Sequence, residues 1–108
     1  MGGMDAALAT IDGGISDLAD VDLAVLRTEQ IGDGILAMQA HIDRERVIQA
    51  RWMAEGKQRG LFTASGHRDG AAWLAAKGKT SVGTAKKQAG LADAITASPG
   101  LALSVIHI

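Results

Sequence analysis

The side chains in this sequence that could do chemistry are cations in its second half. Arg68, Lys77, Lys79, Lys86 and Lys87 all lie between positions 68 and 87. Lysine and arginine contact nucleic-acid phosphates, and such contacts position a protein without reading base sequence. The residues that usually read base edges, Arg, Asn and Gln, are missing just after Ser81, where the second helix of this region begins. These cations therefore indicate either a phosphate-contacting surface or a plain helical hairpin kept soluble by lysine.

The net charge of −1 conceals an uneven distribution along the chain. Residues 1–22 carry five aspartates and no lysine or arginine, whereas residues 44–87 carry ten basic and three acidic residues, a net +7. Such a split indicates a basic surface for a polyanion. It fits equally well with an acidic amino-terminal segment that folds back onto the basic half, and both interpretations stay open.

Other kinds of chemistry lack a supporting pattern. With no cysteine, the chain has neither disulfides nor thiolate metal sites, which fits a reducing cytoplasm. His41 and Glu45 lie at i and i+4 on one helix face, but two ligands do not make a metal site, and a solvated face with local ion pairs is the better interpretation. No phosphate-binding glycine motif and no nucleophile with a base appears. We therefore predict no metal, no cofactor and no catalytic residue.

Composition predicts an all-α chain. Hydrophobic residues make up 47% of it, enough for a packed core, yet Trp52, Phe62 and Trp73 are its only aromatics. A core of Leu, Ile, Val, Met and Ala suits close-packed helices better than sheets. No apolar run approaches the ~20 residues that span a bilayer, and the first residues lack the basic cluster of a signal peptide. We expect a cytoplasmic protein with no membrane partner.

The first half of the predicted single domain (1–108) is one long helix behind a short segment. Residues 1–19 are predicted to hold a helix over 4–11 that Gly13 and Gly14 end. The long helix is predicted over 20–56, capped by Ser16 or Asp20. It is too long for a domain of this size to cover alone, so it implies a partner.

Two glycines interrupt the apolar pattern of that long helix. Gly32 and Gly34 together weaken it by roughly 2 kcal/mol, so they predict a kink or break. They are as readily explained by the close approach of another helix.

The second half is predicted to be a loop, a helix-turn-helix-like hairpin and an apolar tail. The loop (57–70) is pinned to the core by Leu61 and Phe62, and the hairpin follows over 71–98. In the hairpin, Gly78 is expected to take a positive φ, and Ser81 to cap a helix reaching about Thr96. The apolar face is predicted to comprise Trp73, Leu74, Ala85, Ala89, Ala92 and Ile95. The tail (99–108) is a predicted site of self-association.

Residues 65–102 resemble the domain of unknown function 222 family of actinobacteria, also called the thirteen-E-twelve repeat family. The residues that carry the resemblance are Gly70, Ala72-Trp73-Leu74, Thr80-Ser81, Ala85, Leu91-Ala92 and Pro99. The long helix with its basic end extends the resemblance to about residues 20–102.

That resemblance implies the amino-terminal part of an HNH endonuclease-type protein, whose nuclease domain follows later in the chain. In such a domain, His and Asn residues hold one divalent ion. This sequence has no Asn, and His41, His67 and His107 match no part of the motif, so no catalytic residue carries over. The segment after Pro99 departs from the family in a way that suggests a small deletion and a premature end.

Two functions follow as hypotheses. The chain is either a non-catalytic, DNA-associated helical module, the amino-terminal portion or truncated remnant of an HNH endonuclease-type protein, or a helical oligomerisation module without nucleic-acid binding. In the second case we expect a homo-oligomer formed through the long helix or the apolar tail.

Overall fold

The computed structural model describes residues 2–97, and these residues form five α-helices and one short 3₁₀ helix. The α-helices are α1 (Gly2–Ala19), α2 (Thr28–Gln58), α3 (Leu61–Ala64), α4 (Gly70–Lys77) and α5 (Val82–Ala97), and the 3₁₀ helix is Leu23–Val25. No strand occurs among residues 2–97. The all-α prediction is confirmed. The predicted apolar tail lies outside the described residues.

The chain divides into two compact units, one ending at Leu36 and the other beginning at Ala37, within α2. The first unit contains α1, the 3₁₀ helix and the start of α2. The predicted end of the first helix at Gly13 and Gly14 is wrong, because α1 continues through both glycines to Ala19. Glycine inside a helix costs about 1 kcal/mol relative to alanine, which weakens a helix without ending it. No residue of α1 is buried.

The predicted start of the long helix is also wrong. Asp22, not Ser16 or Asp20, caps an element here, and that element is the 3₁₀ helix: the Asp22 carboxylate accepts a hydrogen bond of 3.1 Å from the Ala24 N–H. Helix α2 begins only at Thr28, where the Gln30 side chain accepts a 2.9 Å bond from the Arg27 N–H. This contact is one half of a capping box. It places the start of α2 after the aspartates of residues 1–22.

Helix α2 runs without interruption through Gly32 and Gly34, so neither glycine breaks it. A Cβ atom built at either position meets nothing within 4 Å, so no other described helix approaches closely there. The predicted break is therefore absent, and no helix among residues 2–97 makes the close approach that the second explanation requires. The two glycines lower the stability of α2, but residues of high helix propensity on both sides keep the helix continuous over its 31 residues.

The core of the second unit is built from three helices. Val47, Ala50 and Met53 of α2 are buried, as are Phe62 of α3 and, on α5, Ala92 and Ile95. Trp73, Leu74, Ala89 and Leu91 pack partly buried against this cluster. The ring of Phe62 lies 5.3 Å from that of Trp73, centroid to centroid, in a tilted arrangement that suits two aromatic rings.

The predicted loop 57–70 contains the one-turn helix α3, which delivers Phe62 to the core. Phe62 is only 4% exposed, as expected, but Leu61 is 43% exposed, so the prediction that both residues pin the loop is half wrong. A Cβ at Gly70 would come 2.9 Å from Phe62 Cε2. Glycine at position 70 therefore leaves room for the phenylalanine ring beside the start of α4.

Candidate functional site

The candidate site is the turn end of the hairpin formed by α4 and α5. Asp69 caps the start of α4, the end away from the turn, and its carboxylate accepts a 2.8 Å hydrogen bond from the Ala72 N–H. Ser81 caps α5: its Oγ accepts a 3.1 Å bond from the Thr84 N–H and donates one of 2.9 Å to Thr84 Oγ1. Both helices thus have a side-chain acceptor at their first turn, where backbone N–H groups have no partner within the helix.

The turn between the helices differs from the prediction. Gly78 does not take a positive φ; its φ is −85°, and the left-handed residue is Lys79, with a φ of 53°. Glycine is nevertheless favoured at position 78, since a Cβ there would lie 2.7 Å from the Leu74 carbonyl oxygen. The left-handed conformation at Lys79 is uncommon for a residue with a side chain.

The inward face of α5 holds the hairpin against the rest of the unit. Ala85 is fully buried, Ala92 and Ile95 are buried, and Ala89 is half-buried, which is the stripe that the sequence predicts. Sequence reasoning missed Gln88, which is also buried and whose Nε2 donates a hydrogen bond to the Arg46 carbonyl of α2. Its position three residues after Ala85, on the same face, is the signal that points to it.

Four of the predicted cations belong to this turn end; we call Lys77, Lys79, Lys86 and Lys87 the turn lysines. All four are exposed. Lys77 ends α4, Lys79 lies in the turn, and Lys86 and Lys87 lie within the first two turns of α5, since a helix rises about 1.5 Å per residue. In the part of the chain that the structure describes, none of the four pairs with an acidic side chain.

The fifth predicted cation, Arg68, is in a different situation. Its Nε lies 3.6 Å from an Asp69 carboxylate oxygen, before α4 rather than at the turn. Lys57 and Arg59 are likewise paired, with Asp93 and Glu55 respectively. The turn lysines therefore remain as a group whose positive charge has no local counterpart among residues 2–97.

A shallow groove lies beside the core, and the charged side chains that line it form ion pairs with one another. Phe62, Ala89 and Ala92 are among its lining residues, together with the pairs Lys57–Asp93 and Arg68–Asp69. Both ion pairs are largely exposed, and pairs of this kind contribute little. Among residues 2–97, every charged side chain that lines the groove already has a partner, so none is left to select a ligand.

The described residues hold no cluster of side chains suited to a metal ion. Across positions 2–97, no group of three or more His, Asp or Glu side chains comes together. His41 is exposed, and near it the Gln39 amide donates a 2.9 Å hydrogen bond to Asp43, one turn along the same helix. This is the local pairing expected of a solvated helix face.

None of the described helices is long and apolar enough to cross a membrane. Neither a protein-family model nor a curated protein nor a solved structure matches this sequence. The resemblance to the domain of unknown function 222 family stays a prediction.

Proposed function

We propose that this chain is a non-catalytic helical module that contacts the phosphate backbone of duplex DNA through the turn lysines. The observation that carries the proposal is their common location: four exposed cations at one end of a capped, packed hairpin, with no acidic partner among the described residues. Because the hairpin is fixed by the core, these cations are presented on a rigid support.

The electrostatics of the turn favour an anion over a neutral partner. Lys77, Lys79, Lys86 and Lys87 bring four positive charges to one end of two adjoining helices. Each lysine that neutralises a phosphate releases condensed counterions, and the affinity then falls with salt. The start of α5 offers Val82, Gly83 and Thr84 rather than base-reading side chains, so the contact would be independent of base sequence.

The test is a titration of duplex DNA with the full chain at several salt concentrations. We expect the variant with Lys86→Glu and Lys87→Glu to bind more weakly and to lose about 2 from the slope of log affinity against log salt, since each phosphate contact contributes about 0.9. The matched control carries Arg44→Glu and Arg51→Glu, two exposed cations on α2 that change the net charge equally. Equal loss in both variants, or no salt dependence, would contradict the proposal.

The family resemblance extends this proposal to the parent protein. Under it, the chain is the amino-terminal portion or truncated remnant of an HNH endonuclease-type protein, and the described module contributes binding rather than cleavage. The genomic reading frame beyond Ile108 tests this extension. An HNH motif downstream, in any frame, supports it, and a downstream sequence without one contradicts it.

A second candidate function is self-association as a helical assembly module. The observation that favours it is the apolar face of α2, where Ile31, Ile35, Met38 and Ile42 are all exposed. Burial of such a face against another helix is the usual source of helix stability. We expect oligomers at micromolar concentration that weaken when Ile35, Met38 or Ile42 becomes polar, whereas a strictly monomeric chain contradicts this function.

A further inference from the structure

Helix α1 carries an apolar stripe that no other residue of the described range 2–97 buries. Its members follow a spacing of four, three, four and three residues, which is the heptad repeat of helices that pair along their length. These side chains are 42–59% exposed and are Met4, Leu8, Ile11, Ile15 and Leu18. We call this set the α1 stripe.

An isolated helix of this sequence has little to hold it together. Helix α1 is 18 residues long, contains four glycines and has no buried residue. Each glycine inside a helix costs about 1 kcal/mol relative to alanine, and most helix stability in proteins comes from packing of an apolar face. The stability of α1 must therefore come from an apolar surface that covers its stripe.

The first half of α2 offers a stripe with the same spacing. We call Ile31, Ile35, Met38 and Ile42 the α2 stripe; their side chains are 37–58% exposed. When two helices pack antiparallel, the residue numbers of facing layers add to a constant. Here Met4 faces Ile42, Leu8 faces Met38, Ile11 faces Ile35 and Ile15 faces Ile31, and every pair adds to 46. Four consecutive layers are thus apolar on both sides.

Charge makes α2 a better partner for α1 than another α1. One edge of the α1 stripe carries Asp5 and Asp12, and α1 has no basic side chain to set against them. The edges of the α2 stripe carry no acidic residue over the same length; they present Gly32, Gly34, Gln39 and His41. Side chains at stripe edges set the choice and orientation of partners in paired helices.

We propose that the α1 stripe docks antiparallel on the α2 stripe of a second copy of this chain, in the register in which facing residue numbers add to 46. The contact is reciprocal, so each of two copies supplies one α1 and receives the other, as in a domain-swapped dimer. This inference rests on the second candidate function, self-association, and is independent of DNA contact through the turn lysines. It names the partner, the two surfaces and their register.

The chain contains no cysteine, so a pair of introduced cysteines reports this contact without background. In the double variant Leu8→Cys and Met38→Cys, the two thiols occupy one layer of the proposed register. Mild oxidation of the full chain at micromolar concentration is expected to yield a covalent dimer on a non-reducing gel. The mismatched control, Leu8→Cys with Ile31→Cys, places its thiols about 10 Å apart along the helix axis, which is beyond disulfide reach.

Three other outcomes of the cross-linking experiment would overturn the proposal. A disulfide within one chain, seen as an oxidised monomer, would show that α1 covers its own α2. A dimer without the disulfide would leave self-association standing through another surface but remove this one. A cross-link equally strong in the mismatched control would show random collision.

A polar substitution provides a second readout that does not depend on cysteine chemistry. Ile11→Asp, at the centre of the α1 stripe, is expected to raise the dimer dissociation constant at least ten-fold in sedimentation experiments. Its matched control is Leu36→Asp, which lies on the opposite side of α2 from the stripe and is 70% exposed. Equal weakening by both substitutions, or by neither, contradicts docking of α1 on the α2 stripe.

Discussion

Helices α1 and α5 are similar in length and rich in small and aliphatic residues, yet they differ in what stabilises them. In α5, Ala85, Ala92 and Ile95 are buried against the core of the second unit, whereas in α1 no residue is buried. An apolar side chain stabilises a helix only when another surface covers that side chain. Similar residues therefore stabilise α5 but not an uncovered α1. The comparison shows that α5 is covered by the core of its own unit, and it agrees with our proposal that α1 is covered by a second copy.

The largest loss of stability should follow removal of the Phe62 ring from the core of the second unit. Phe62→Ala is expected to lower the free energy of unfolding of that unit by about 3–5 kcal/mol, because it leaves a cavity beside Trp73. Chemical denaturation followed by tryptophan fluorescence measures it. The neighbouring control Leu61→Ala should cost far less, since Leu61 is exposed. Equal losses would mean that α3 does not anchor the core.

A smaller loss should follow when the polar link between α5 and α2 is removed. Gln88→Met keeps the size of the side chain but deletes the donor to the Arg46 carbonyl, and we expect a cost of about 1–3 kcal/mol in the same denaturation experiment. Gln49→Met, at an exposed position on α2, is the control and should be nearly neutral. If the two substitutions behave alike, the hydrogen bond contributes nothing to the position of α5.

The cap at the start of α4 should contribute still less to the free energy of unfolding. Asp69→Ala removes the acceptor for the Ala72 N–H and is expected to cost about 1 kcal/mol. Asp69→Asn keeps a capping side chain while removing the charge near Arg68. We expect it to retain most of the stability, and a loss as large as that of Asp69→Ala would assign the effect to the ion pair instead of the cap.

The smallest effect should appear in α1 itself. A Cβ at Gly13 meets nothing within 4 Å, so Gly13→Ala should stabilise the helix by about 0.5–1 kcal/mol. Amide exchange should show slower opening in α1 and no change in α5. The matched substitution Gly90→Ala, which is equally open, should slow exchange in α5 alone. Slowing that spreads to both helices would contradict their independence.

The sequence predicts the parts of the fold that depend on periodicity and composition. The all-α class follows from composition and the buried stripe of α5 from the spacing of small and aliphatic residues, whereas the sequence does not separate buried Phe62 from exposed Leu61. Helix ends were predicted poorly. Gly13 and Gly14 look like a stop, but α1 passes through them, and the start of α2 depends on the Gln30 contact with the Arg27 backbone.

The sequence names the residues of the candidate site, and the structure adds their geometry. Sequence reasoning found all four turn lysines, but it could not separate them from Arg68, whose pairing with Asp69 depends on the folded backbone. It also assigned the positive φ to Gly78, although the clash that a Cβ would make with the Leu74 carbonyl is what favours glycine there. The heptad spacing of α1 is present in the sequence, and its glycines obscure it.

The central claim is that α5 is stable within one chain while α1 depends on a second copy, and amide hydrogen exchange of the full chain over a dilution series tests it most directly. The account predicts that protection of α5 does not change with protein concentration and that protection of α1 rises as the concentration rises. Protection of α1 that stays the same at every dilution would contradict it.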